Sequence, residues 1–259
     1  MHLRSFISFA ALAGLLSVAR ADTTTLTDFF NGSSLDTTKW TASTPFPDSS
    51  VSVSGGNLIL DNRGRVLSIA GFDEPIDLTM GFQITGNIHE SFKVFLRTDG
   101  VSTNAPGEFD KGIFASFRIQ SDTGQTTGNI TLSQQNDPFS LGVLTTGTYS
   151  LALNQSNVIR LTDDGYNVKL YINDLANPFL SYSIADTFGD QIGFFNREGA
   201  GAGSFISAGS EVKVDFVSIT SNVPDAGTTA FLVGMTMLSL AAARKRQSTP
   251  LQLTEITKA

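Results

Sequence analysis

The chain has 259 residues, 41% of them apolar and 16% charged, with a formal net charge of −7, twenty phenylalanines, two histidines and no cysteine. This composition excludes a disulfide framework, a thiolate metal centre and a cysteine nucleophile, and it argues against a zinc or copper site. The acidic balance, with no basic stripe, also excludes nucleic acid and anionic lipid as partners of the working surface.

Residues 1–21 read as a signal peptide. Met1-His2-Leu3-Arg4 supplies a positive start, Phe6 to Val18 an apolar run, and Ala19-Arg20-Ala21 a small-x-small cleavage site. Cleavage after Ala21 is expected. The working domain is then 22–222, long enough for one substantial core. Six of the 17 cations and two of the 24 acids lie outside it, which leaves a domain charge of −11. Solubility accounts for such acidity; binding of divalent cations or repulsion from acidic glycans is the functional alternative.

Within this domain the apolar period is two. Ile76, Leu78, Met80, Phe82 and Ile84 alternate with polar or small residues and predict a strand with one buried face. Phe92, Val94 and Leu96 alternate in the same way with Lys93, Phe95 and Arg97. Tyr166, Val168, Leu170 and Ile172 form a third set, and Val212, Val214 and Phe216 a fourth. Gly and Asx turn signals separate the runs, among them Ser54-Gly55-Gly56-Asn57, Asn62-Arg63-Gly64 and Asp163-Asp164-Gly165. No stretch of the domain carries a sustained helical stripe. The pattern predicts an all-β, two-sheet antiparallel sandwich.

Few residues offer chemistry. Glycan hydrolysis needs paired carboxylates, and Glu108 with Asp110 is the nearest candidate pair, beside a loop-like Asn104-Ala105-Pro106-Gly107. A Ser-His-Asp triad would have to use His89, which sits at an apparent turn. The lone tryptophan, Trp40, is expected to anchor the first strands by packing. Tyr171 and Asn173 point away from the apolar set of their strand and are the candidate glycan-binding pair. The residue types also fit a plain solvated face. No metal site or cofactor is assigned. Ca2+ at the Asp163-Asp164-Gly165 and Asn173-Asp174 turns remains an alternative to simple hairpin chemistry. The small-residue stretch 200–209 reads as a loop and lacks a phosphate-loop lysine.

Three stretches carry a wider likeness. They are Phe30-Asn31-Gly32-Ser33-Ser34-Leu35-Asp36-Thr37-Thr38-Lys39-Trp40 with Val51 to Leu60, then Asn157 to Asn173, and last Gln191 to Phe195 with Val212 to Val217. Together they resemble the concanavalin-A-like lectin/glucanase superfamily, which includes laminin-G-like modules. The resemblance implies a jelly-roll sandwich. Glucanases of this superfamily carry three acids on one strand as E-x-D-x-E, and here Gly112 stands where the third would fall after Glu108 and Asp110. The domain is therefore expected to be non-enzymatic. A lectin-like carbohydrate-binding module and a secreted glycan hydrolase are the alternatives.

The C-terminal part is tripartite. Val223-Pro224-Asp225-Ala226-Gly227 is followed by an apolar run from Thr228 to Ala243 and by the basic triplet Arg244-Lys245-Arg246; a polar tail, 247–259, ends the chain. Sixteen helical residues span roughly 24 Å, short of the roughly 20 residues that cross a bilayer comfortably, and the cations hold one flank in the cytoplasm. The arrangement resembles PEP-CTERM sorting signals, most closely the Val-Pro-Asp-Ser-Gly variant, with Ala226 in the serine position. That resemblance implies a bacterial envelope protein held transiently in the cytoplasmic membrane. An exosortase would process it and release it to the cell surface or extracellular matrix, in association with exopolysaccharide.

Overall fold

The structure, a computed structural model, describes residues 22–85, 91–103, 109–119, 127–137, 140–151, 154–184, 188–197 and 211–223. The compact unit is Thr23–Asn222. Ala19 and Ala21, His89, Glu108, residues 200–209, the motif from Pro224 to Gly227, the triplet Arg244 to Arg246 and the tail lie outside the described residues. Among the described residues no helix is long and apolar enough to cross a membrane.

Two antiparallel sheets face each other, as the period-two pattern predicts. The first has eight strands. Its order runs β13 (Leu180–Ser183), β12 (Asn167–Ile172), β11 (Ser156–Asp163), β6 (Ile76–Thr85), β15 (Glu211–Val223), β4 (Asn57–Asp61) and β3 (Ser50–Ser54), with β1 (Asp22–Asp28) also paired to β15. The second has seven, in the order β10 (Ser140–Ser150), β9 (Thr127–Asp137), β8 (Gly112–Ile119), β7 (Ser91–Thr98), β14 (Gln191–Asn196), β5 (Arg65–Ser68) and β2 (Trp40–Ser43). Strands distant in sequence are neighbours in both sheets. The β3–β4 hairpin turns at Gly55 and Gly56, whose φ values of 60° and 77° favour glycine.

The core lies between the inner faces. Ile76, Leu78, Met80, Phe82 and Ile84 are all buried, as are Phe92, Val94 and Leu96 from the opposite sheet. Phe82 packs 5.2 Å from both Phe92 and Phe117, ring centre to ring centre. Each such side chain removed from water contributes about 1.5–3 kcal/mol. Trp40 is buried, as expected, 5.3 Å from the Phe194 ring, and its indole N–H donates to Asp28 Oδ2 at 3.0 Å. A further hydrogen bond ties the sheets: Asn196 Nδ2 donates to the Leu60 carbonyl at 3.0 Å.

The alternation breaks in three places. Tyr166 does not belong to the buried set of β12; it follows the Asp164 turn, precedes the strand and is 75% exposed. In β15, Val214 pairs with Phe82 but Phe216 with Gly81, so Asp215 is an extra residue in a bulge. The bulge turns Phe216 outward and brings Val217 and Ile219 into the core. The third break is in β7. Thr98 pairs with Gln191 and Phe95 with Gly193, so Leu96 and Arg97 together face Ile192. Arg97, at φ 53°, is thereby swung inward, away from the outer face that simple alternation predicts.

Candidate functional site

The Tyr171–Asn173 pair is not assembled as expected. Tyr171 does project from the outer face of β12, but it is buried, because the Arg160 guanidinium lies 5.4 Å from its ring centre. Arg160 is held there by two hydrogen bonds to Asp77, at 2.9 and 2.6 Å. That bidentate pair raises the Arg160 pKa above its ordinary value. Asn173, with φ 56°, faces elsewhere. Its amide N–H donates to the Val158 carbonyl and its Oδ1 accepts from Val158 N–H, each at 2.8 Å. Its Nδ2 reaches Asn157 Oδ1 at 3.3 Å and the Tyr149 hydroxyl at 3.4 Å. The side chain thus extends the β11–β12 ladder by one rung.

The turn carboxylates are engaged locally. Asp164 Oδ1 accepts from Tyr166 N–H at 2.9 Å and Asn167 N–H at 2.6 Å, and these two backbone bonds hold its pKa below the ordinary range. Asp174 is held low as well, first by Asn177 Nδ2 and then by the amides of Ala176 and Asn177. Asp163 points inward and forms a two-bonded ion pair with Arg97, and it also accepts from Gly165 N–H at 2.9 Å. Among the described residues no three His, Cys, Asp or Glu side chains converge on a common point where a metal could sit.

Arg97 is the residue that sequence patterning missed. It is almost fully buried and also pairs with Glu74, 2.8 Å away. A residue of the seven-stranded sheet is thereby locked to the eight-stranded sheet and to the loop before β6. Beside this junction lies a cavity of about 290 Å³ lined by Phe72, Asp73, Glu74, Phe188, Gly189 and Asp190. Asp190 is pressed so closely on Gly71 that a Cβ there would meet its Oδ2 at 2.2 Å.

The outer face of the seven-stranded sheet carries a second core. Phe95, Phe114 and Phe195 project from β7, β8 and β14, and Phe109 folds over them from the loop before β8. The Phe95 ring lies 5.1 Å from Phe109 and 4.7 Å from Phe114. Gly193 makes room, since a Cβ there would be 2.3 Å from Phe109 Cε2. Lys93 Nζ lies 4.5 Å from the Phe114 ring centre and the Arg65 guanidinium 5.6 Å from that of Phe109. Asp110, the described member of the candidate carboxylate pair, is 4% exposed. Its two oxygens take the Thr103 amide at 2.9 and 3.0 Å and its Oδ2 takes the Thr103 hydroxyl at 2.7 Å.

No protein-family model matches the chain, and no curated protein matches it in sequence. Solved structures do match the fold. A Bacillus licheniformis β-glucanase is 12% identical, with 75% of this chain and 97% of that one covered at a TM-score of 0.54. A protein from work on endo-acting O-glycanases with which human gut bacteria initiate mucin breakdown is 16% identical, with 75% and 97% covered at 0.55. The exoplasmic/lumenal domain of VIP36, in a Ca2+/Man3GlcNAc-bound form, is 12% identical, with 70% and 82% covered at 0.51. At such identities the likeness is one of architecture. The chain has the concanavalin-A-like lectin/glucanase fold, a two-sheet antiparallel β-sandwich.

Proposed function

We propose that the chain is an exported, non-enzymatic envelope protein, processed by an exosortase at its PEP-CTERM-like signal, whose sandwich associates with extracellular polysaccharide. The observation that carries the non-enzymatic reading is the state of Asp110. A general acid or nucleophile must present an oxygen to substrate. Both Asp110 oxygens are instead occupied by Thr103, and four phenylalanine rings are packed over the same outer face. That face is built as a packing surface. Glycan association draws its support from the fold, which lectins and glucanases share, and from the sorting-signal resemblance.

The test pairs two assays on the purified protein and the producing cell's own polysaccharide: co-sedimentation and release of reducing ends. Saturable pelleting that free sugar reverses, with no reducing ends released, is the expected result. Hydrolysis that disappears in Glu108→Gln or Asp110→Asn would establish a glycan hydrolase and sink the proposal. Failure to pellet would remove polysaccharide as the partner.

A further inference from the structure

The segment between β1 and β2 encloses a cavity of about 320 Å³, separate from the sites above. It begins at Phe30, whose φ of 50° reverses the chain. Neighbouring rings continue the alternation of β1 and point in opposite directions. Phe30 is buried, while Phe29 is 56% exposed and rests against Phe216 with ring centres 6.5 Å apart. Asp28 fixes the reversal from within by accepting from Phe30 N–H at 2.9 Å and from the Trp40 indole. The chain then returns through a turn in which the amides of Lys39 and Trp40 both donate to the Asp36 carbonyl at 3.0 Å. The result is a pocket lined by the exposed residue Phe29 together with Asn31, Ser34, Asp36 and Lys39.

The polar side of this pocket keeps donors and acceptors facing solvent. The Lys39 ammonium has three N–H donors. One goes to the Thr27 carbonyl at 3.0 Å. The carboxylates of Asp28 and Asp36 are each 3.7 Å from Nζ, close enough to attract but beyond a direct hydrogen bond, which ends near 3.2 Å. Asp36 Oδ1 is committed to Thr38, through its amide at 3.0 Å and its hydroxyl at 2.6 Å, which leaves Oδ2 facing Lys39. A hydroxyl seated to one side of both Nζ and Oδ2 would accept from the first and donate to the second. Two carboxylates around one ammonium leave the pocket net negative, so an anionic ligand is disfavoured. The volume falls at the lower end of the roughly 300–1,000 Å³ of small-ligand pockets, suited to one ring.

We propose that this cavity binds a single neutral sugar ring. Its apolar C–H face lies on Phe29, one hydroxyl bridges Lys39 Nζ and Asp36 Oδ2, and Asn31 and Ser34 supply further polar partners. This goes beyond the polysaccharide reading, on which it rests for its biological partner, by naming the site and the ligand class.

The experiment is a titration of the full chain with methyl glucoside, methyl galactoside and methyl mannoside, with methyl glucuronide as the anionic control, followed by NMR. Saturable binding of at least one neutral glycoside is expected, with none of the glucuronide. Phe29→Ala and Asp36→Asn should each weaken binding at least tenfold. Both side chains are at the surface, so an unchanged melting temperature verifies that the variants are folded. No saturable neutral glycoside, preference for the glucuronide, or undiminished binding by both folded variants overturns the site. Co-sedimentation run in parallel separates the two readings. A Phe29→Ala protein that pellets like wild type removes this site but keeps polysaccharide association. Glycoside binding without pelleting keeps the site and removes polysaccharide as its partner.

Discussion

Arg97 shows how much a single side chain can carry in this sandwich. It is 1% exposed, and its charge is balanced by Asp163, which is fully buried, and by Glu74. Removing one member of a buried pair leaves the other charge desolvated, at a cost of about 3–5 kcal/mol. Arg97→Ala should therefore lower the urea midpoint by that equivalent, while the double variant Arg97→Leu/Asp163→Leu should recover much of the loss. A single-variant cost below about 1 kcal/mol would falsify the view that the pair is buried and mutually dependent. Asp61 shows the opposite case. Burial first, then the charges of Glu211 and Asp48, raise its pKa above the ordinary 3.8, and its Oδ1 has no hydrogen-bond partner. A raised carboxyl pKa means that the folded state binds the proton more tightly than the unfolded chain does. The contribution to stability is thus full below the ordinary pKa and is lost as pH rises through the raised value. Asp61→Asn should raise the melting temperature at pH 7 by roughly 1–3 °C. That gain should vanish below about pH 4; a gain that persists in acid would show another cause.

At the scale of elements, the strands were legible and their phase shifts were not. The alternation in Ile76–Ile84 is read from residue types alone and is observed without correction. Bulges in β7 and β15 depend instead on how a partner strand is registered, and no residue near Arg97 or Asp215 announces them locally. This is why Arg97 and Phe216 stand on the faces opposite to those predicted. Tyr171 misled for a related reason: its outward direction was correct, but the Arg160–Asp77 pair that covers it comes from two other strands. The aromatic layer on the outer face of β7, β8 and β14 makes its own demand on sequence. Gly193→Ala would drive a methyl group into Phe109, and overpacking of this kind costs about 1–3 kcal/mol. Relief would come by displacing the Phe109 loop. The Asp110 amide, bonded to the Val101 carbonyl at 2.8 Å, should then exchange its hydrogen much faster than in the wild type, while amides of β6 keep their protection. Equal exchange at Asp110 in both proteins would show that Phe109 adjusts in place.

For the whole molecule, composition and period were enough to reach the class of fold, because most strands bury one apolar face and most tight turns carry Gly or Asx. The cavity at Phe29 overlaps a stretch, Phe30 to Trp40, that the sequence marked chiefly as a family likeness. What makes it a cavity is a backbone reversal at a phenylalanine, a residue type that seldom takes positive φ and so gives no turn signal. The order of strands carries a further consequence, in time rather than in space. β15 is the last of the described strands to be made, yet it is the joint between β6 with β11, β12 and β13 on one side and β4 with β3 on the other, and it also pairs with β1. A ribosome releases the chain from the N-terminus onward. Until residues 211–221 emerge, the eight-stranded sheet lacks the strand that joins its parts. Completion of this sheet therefore waits on one strand late in the sequence.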